Sequence, residues 1–318
     1  MKVVVVGAGA VGQVYGRHLQ LGGADVSLLV KPAHLDSARR GFELYPLHRR
    51  RPRRAPVRFE APAFDSIYAA MSQRPDAVVL CVSSTALRAG TWLEELAGEL
   101  GVATLVALQP SPGDLDYVCA RVASEQVVAG LIAIVSYLGP LPGERLPSPG
   151  TVYWFPPLGR SLFSGTRAEA LVDCFRAGGL PVRRVRDASA TGAHGAAVLL
   201  TLVIALEIAD WSLDALRRDR ELLGLAHAGA AEAMRALEHH LGVRPPRSMG
   251  LARPLGLKLG LGLGERAAPF DLEAYLRLHF QKVGAQTAFW LDEVRTLAAG
   301  AELPAPALAE LAARWSQT

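Results

Sequence analysis

Residues 3–12, Val-Val-Val-Val-Gly-Ala-Gly-Ala-Val-Gly, constrain this chain more than any other stretch. Four consecutive valines make a strand that is apolar on both faces, and three spaced glycines end it and open a helix. Gly7 permits the tight turn. Gly9 lacks a Cβ, so backbone N–H groups can approach an anion, and Gly12 lets helix and strand pack closely. A second apolar run at 25–30 follows after one helix's length. This predicts a βαβ unit whose turn, Gly7, Ala8, Gly9, Ala10, Val11 and Gly12, cradles the pyrophosphate of a dinucleotide.

The pattern continues. Residues 2–6, 25–30, 77–82, 103–108 and 126–134 read as strands, and the stretches 15–21 and 85–100 as helices between them. Strands apolar on both faces indicate a parallel sheet covered on both sides, here the α/β architecture of a doubly wound Rossmann-type sheet. The shorter runs 151–155 and 161–163 are expected to extend that sheet, 167–177 to be helical, and 181–185 to be a last strand. Beyond Asp187 the pattern is helical throughout: 188–218, 221–241, 271–299 and 306–316. The expected organisation is a dinucleotide-binding domain over 1–186 and an all-helical C-terminal domain over 187–318. Residues 245–269, rich in Pro, Gly and Leu without period, read as a long irregular loop.

At 318 residues, half of them hydrophobic, the chain can bury two ordinary cores. Its net charge of +4 suits small anionic ligands and does not imply nucleic acid. Cys81, Cys119 and Cys174 form no ligand or disulfide pattern, which reads as reduced thiols in a cytoplasmic protein. The apolar start leads straight into glycines, unlike a signal peptide. Residues 189–206 carry no formal charge, but Thr191, His194 and Thr201, with Glu207 just beyond, favour a buried helix over a membrane span.

The end of the second strand selects the cofactor. An NAD site places an acid there for the ribose hydroxyls. This chain has Leu29-Val30-Lys31, and Lys31 favours NADP(H), pairing with a 2′-phosphate with help from His34, Arg39 or Arg40. The basic run 48–54 has no interleaved aromatics and reads as a solvated loop.

The block 2–30, with its GAGAVG, Tyr15-Gly16, Leu19 and Gly23-Ala24-Asp25-Val26, resembles the ketopantoate reductase family. So do Leu80-Cys81-Val82, Leu108-Gln109 and the closing Ala299-Gly300-Ala301-Glu302-Leu303-Pro304. The resemblance implies a Rossmann domain and a helical domain, with NADPH reducing a 2-oxo acid in the cleft between them. It adds Val82, Ser83 and Gln109, at the ends of the runs 77–82 and 103–108, to the cofactor-binding set. The family's catalytic residues are largely missing. Ser83 stands where a lysine is expected, Gln109-Pro110-Ser111 replaces a Gln-Asn-Gly turn, and 193–198 hold neither lysine nor asparagine, with His194 their one ionisable group.

A replacement is available on the helix expected over 271–299. His279, Lys282 and Gln286 recur there at i, i+3 and i+7, so they share one face. His279 or Lys282 is a candidate general acid, and Gln286 a candidate to orient a substrate carboxylate; a solvated polar face is the competing reading. His194 is a further candidate acid, against its reading as a satisfied core histidine. Glu207 and Asp210 are expected to pair with Arg217 or Arg218. The chain thus reads as an NADPH-dependent reductase of a carbonyl or imine substrate other than ketopantoate, with no metal, and with a homodimer through its long helices as an expected assembly. The competing reading is an NADP-binding regulatory or partner protein without turnover.

Overall fold

Along the first strand, β1 (Lys2–Val6), Val3 and Val5 enter one hydrophobic core and Val4 and Val6 another. That alternation places the strand in the middle of a sheet covered on both faces. The computed structural model describes residues 1–47, 56–243 and 254–318. The basic run 48–54 therefore lies outside the described residues. The chain divides into two compact units, Met1–Ala188 and Ser189–Thr318.

In chain order the first unit contains β1, α1 (Ala10–Leu21), β2 (Asp25–Leu29), α2 (Leu35–Arg39), β3 (Phe42–Pro46), β4 (Val57–Phe59), β5 (Ala63–Phe64), α3 (Ile67–Met71), β6 (Ala77–Leu80), α4 (Ser84–Leu87) and α5 (Trp92–Glu99). There follow β7 (Thr104–Ala107), α6 (Asp114–Cys119), β8 (Val127–Leu131), β9 (Val135–Gly139), β10 (Gly150–Trp154), β11 (Ser161–Ser164), α7 (Ala168–Ala177) and β12 (Val182–Arg184). Eight strands form one sheet in the order β12-β11-β8-β7-β6-β1-β2-β5. From β8 to β5 the neighbours are parallel, and β11 runs antiparallel to β8. The strand order reverses between β1, which leads on to β2, and β6, which leads on to β7; that reversal is the switch point of a doubly wound sheet.

Three expectations for this unit are corrected. The run 151–155 does not extend the main sheet: β10 pairs with β3 and β9 in a second, four-stranded sheet, β4-β3-β10-β9. Gly150 permits this, because a Cβ there would meet the Glu43 carbonyl oxygen at 2.4 Å. The strand expected over 126–134 is shorter: β8 ends at Leu131 in the main sheet, and β9, which starts at Val135 beyond that run, lies in the second sheet. The helix expected over 85–100 is two helices, α4 and α5, parted at Gly90 with its φ of 72°.

The second unit comprises α8 (Ala188–Ile208), α9 (Leu213–Arg218), α10 (Arg220–Leu241), α11 (Pro254–Ala267), α12 (Leu272–Lys282), α13 (Gly284–Gly300) and α14 (Pro306–Trp315). α8 is long and apolar enough to cross a membrane by length and composition, and half of its apolar window is buried. Ala197, Leu200, Val203, Ile204 and Leu206 lie in the unit's core, beside Leu223, Ala230 and Ala233 of α10. α10 is capped at both ends, by Asp219, which accepts from Leu222 N at 2.8 Å, and by left-handed Gly242.

The helical pattern here is also more broken than expected. The stretch 188–218 is interrupted at Asp210 and Trp211, whose φ values are 50° and 61°, and restarts at α9 with Ser212 as cap. The stretch 271–299 starts as expected, with Asp271 accepting from Ala274 N at 2.9 Å, but breaks at Val283 (φ −110°, ψ 20°). The second half of the expected loop, from Pro254, is the helix α11. Its glycines each lower helix propensity by about 1 kcal/mol, but Leu257 is buried in the core, Leu261 packs against it, and Glu265 pairs with Arg217. Residues 245–253 lie outside the described residues.

Candidate functional site

The glycine turn forms as its residue types dictate. Gly7 has a φ of 92°, and a Cβ there would lie 2.7 Å from the Cys81 carbonyl oxygen. A Cβ on Gly12 would lie 2.0 Å from the Gly7 carbonyl oxygen, so α1 can seat on β1 only with glycine at that position. Gly9 is different: nothing stands within 4 Å of where its Cβ would be. It is the N-cap of α1 with no side-chain hydrogen bond, and the first turn contains no acid. The result is an open cradle at a helix N-terminus, where unpaired N–H groups and the helix dipole favour an anion. A diphosphate fits that donor set.

The turn is held from behind. Gln13 Nε2 donates to the Ala8 carbonyl at 2.8 Å, and Gln13 Oε1 accepts from Thr151 Oγ1 at 2.5 Å, tying the second sheet to the loop. Tyr15, fully buried, donates to Ser161 Oγ at 2.8 Å, and burial raises its phenol far above its ordinary range. Cys81 closes the far wall, and burial pushes its thiol up to about 12, so it is uncharged and unreactive at neutral pH. All three cysteines are free.

Lys31 stands two residues beyond the end of β2, in extended backbone, and is exposed. Among the described residues it makes no ion pair. His34, Arg39 and Arg40 are exposed on the next turns. Val82 and Ser83 follow β6; the Ser83 hydroxyl accepts from Ala86 N at 3.1 Å and caps α4. Gln109, expected among the cofactor contacts, spends its side-chain amide on the protein. Its Nε2 donates to the Leu80 and Val82 carbonyls, both at 2.9 Å, and its Oε1 accepts from Leu108 N at 3.1 Å. The glycine turn, Lys31, Val82, Ser83 and Gln109 follow the carboxyl ends of β1, β2, β6 and β7, on either side of the switch point, whereas Arg39 and Arg40 lie at the C-terminal end of α2.

Sequence reasoning missed a buried polar cluster on the same edge. Asp114, 1% exposed, accepts from Ser84 Oγ (2.6 Å), Ser111 N (2.8 Å) and the Arg88 guanidinium. Arg88 also donates to the Ser84 carbonyl at 3.2 Å and lies 4.6 Å from the centre of the Tyr117 ring. The Ser84-to-Arg88 spacing fits one helical turn, but nothing local pairs them with residue 114.

The four catalytic candidates all lie in the second unit. His194 is buried, with Nε2 3.0 Å from Glu238 Oε1, which makes it a partnered core histidine. His279 and Lys282 lie on α12 and Gln286 on α13, so the break at Val283 ends the single helical face on which all three were expected. His279 stacks on Tyr275 and meets Phe280 edge-on; burial and then the Lys282 charge hold its pKa below the ordinary value. A histidine so held is neutral at neutral pH and a poor general acid there. Lys282 is exposed. Glu207 accepts from Trp315 Nε1 at 2.8 Å, and Asp210 lies 3.9 Å from Arg277, so neither makes the arginine pairs expected for them. Arg217 and Arg218 pair with Asp214 instead, one turn away on α9.

Residues 3–154 match the family model of the ketopantoate reductase PanE/ApbA. Among curated proteins none matches the sequence. Among solved structures, the PanE/ApbA family ketopantoate reductase from Ralstonia eutropha JMP134 superposes with a TM-score of 0.70 at 20% identity, over 100% of this chain and 98% of that one. The 2-dehydropantoate 2-reductase from Methylococcus capsulatus gives 0.70 at 17%, over 98% and 95%. A D-mandelate dehydrogenase solved with NADH and anilino(oxo)acetate gives 0.67 at 14%, over 100% and 97%. Residues 3–154 thus resemble the ketopantoate reductase PanE/ApbA family, and over its whole length the chain has the fold of solved members of that family.

Proposed function

We propose that the protein is an NADPH-dependent oxidoreductase that reduces a 2-oxo acid, or a related carbonyl or imine, other than ketopantoate. The open cradle at Gly9 carries the dinucleotide reading, since it pairs unoccupied space with uncapped helix N–H groups. Lys31, exposed and without an ion pair among the described residues, carries the choice of NADP. Hydride donation is the chemistry the nicotinamide supplies when bound. This chain's residues must bind the cofactor and deliver a proton, for which Lys282 is the exposed candidate. The D-mandelate dehydrogenase of the same fold was solved with NADH, so the phosphate preference rests on Lys31 itself.

Titration of tryptophan fluorescence tests the cofactor. NADPH is expected to bind more tightly than NADH, and Lys31→Ala to weaken NADPH roughly tenfold while leaving NADH unchanged, the loss of one charge-assisted contact. Equal affinity for the two cofactors, or none for either, overturns the assignment.

Ser83 at the position of the family's lysine and the His194–Glu238 pair favour a second reading, cofactor binding without turnover. NADPH oxidation with a panel of 2-oxo acids and imines separates the two. Turnover that Lys282→Ala abolishes supports the first, and no turnover on any substrate supports the second.

A further inference from the structure

The two halves of a doubly wound sheet each take one mononucleotide of a dinucleotide. Here β1, β2 and β5 form the first half, which carries the glycine turn and Lys31, and β6, β7 and β8 form the second. Whatever faces the nicotinamide end must therefore be built from the segments after β6 and β7. The loop after β6 leads into α4, and the loop after β7 leads into α6 through a turn at Pro112-Gly113, with Gly113 as the N-cap. The two loops are stitched together by two polar devices, one partly buried and one fully buried. One is the Gln109 amide, bridging the Leu80 and Val82 carbonyls. The other is the Asp114 carboxylate, which accepts from Ser84 at the start of α4 and from the backbone of Ser111 in the loop after β7.

A carboxylate 1% exposed is costly unless its partners neutralise it. Arg88 does so and spans the same gap, donating to both Asp114 and the Ser84 carbonyl. Trp92 Nε1 fastens α4 from its other side, donating to the Ala86 carbonyl at 2.9 Å. The polar groups here point at each other across two loops that belong to different strands. Their combined effect is to fix the distance between Val82-Ser83 and Gln109-Pro110.

We infer that Asp114 is a positioning residue: through Ser84, Ser111 and Arg88 it holds the loops after β6 and β7 in the spacing that receives the nicotinamide half of the cofactor. This rests on the dinucleotide reading above. A misplacement of about 1 Å at such a site costs up to roughly 100-fold, so loosening one loop against the other weakens whatever contacts both.

The test uses the full chain and two ligands: NADPH, and adenosine 2′,5′-bisphosphate, which lacks the nicotinamide half. Asp114→Asn is expected to weaken NADPH roughly tenfold and leave the fragment within about twofold of wild type. A purely structural role would lower both affinities together. Equal losses, or no loss of NADPH affinity, overturn the inference while leaving the cofactor reading intact. A wild-type chain that binds neither ligand overturns both. Ser84→Ala removes one donor and keeps the ion pair, so it reports if Asp114→Asn does not fold. Its expected result is a smaller loss confined to NADPH, with cooperative unfolding retained, and an unaltered NADPH affinity there overturns the inference.

Discussion

Gly9 and Gly12 show how one residue type performs two unrelated tasks three positions apart. At Gly12 the space is already filled by the Gly7 carbonyl oxygen, 2.0 Å from the missing Cβ, whereas at Gly9 it is empty. Gly12→Ala is therefore expected to cost about 3 kcal/mol or more of stability, because backbone must move. Gly9→Ala should stay within about 1 kcal/mol of wild type yet lose NADPH affinity by roughly tenfold or more, since the new methyl group stands where the phosphates approach. Chemical denaturation and fluorescence titration of both variants check the pair, and a stable Gly9→Ala that binds normally would remove the cradle. Both glycines were legible in the sequence as one motif; only the coordinates divide them into one whose Cβ position is filled by backbone and one whose Cβ position is open.

Among the elements, α14 depends on a charge from another helix. Glu232, buried in α10, accepts from Ala307 N at 3.1 Å and Leu308 N at 2.8 Å and so caps the first turn of α14. Glu232→Ala leaves those N–H groups buried without an acceptor and is expected to cost about 3 kcal/mol, while Glu232→Gln, which keeps one acceptor, costs less. Thermal unfolding followed by circular dichroism measures both, and equal stability of all three forms would show that water satisfies the helix end. Caps supplied locally, Asp271 for α12 and Asp219 for α10, can be read from spacing. Glu232 cannot, because it lies 75 residues from the N–H it serves. The same reason explains α11 and the breaks at Trp211 and Val283: apolar period marks a helix, but packing decides where it stops.

For the molecule as a whole, pH acts through buried imidazole. His18, in α1, donates its Nδ1–H to the Gly178 carbonyl at 2.7 Å, its Nε2 has no hydrogen-bond partner among the described residues, and its ring meets Tyr153 and Phe155. Burial holds its pKa below the ordinary 6.5, and His279 is lowered as well. The unfolded chain then takes up protons below 6.5 that the folded chain refuses, so stability contributed by the neutral rings is complete above that pH and lost as pH falls through the folded values. Melting temperature should fall on acidification below about pH 6.5, and His18→Gln, which keeps a donor for Gly178, should show a shallower fall. An identical slope in the variant would assign the acid sensitivity elsewhere.

What the sequence determined by itself was everything carried by contiguous residues. The strand, glycine turn and helix of the cofactor loop, Lys31 beyond β2, and the change from alternating to purely helical pattern are all set by local sterics and side-chain period. What only the tertiary structure decided was everything that needs two distant segments to meet. The second sheet joins β10 to β3 across about a hundred residues of chain, the Asp114 cluster joins the ends of two strands, and the break at Val283 ends the catalytic face that spacing alone had drawn. Such pairings depend on which surfaces bury together once the chain has collapsed, and no local pattern encodes that choice.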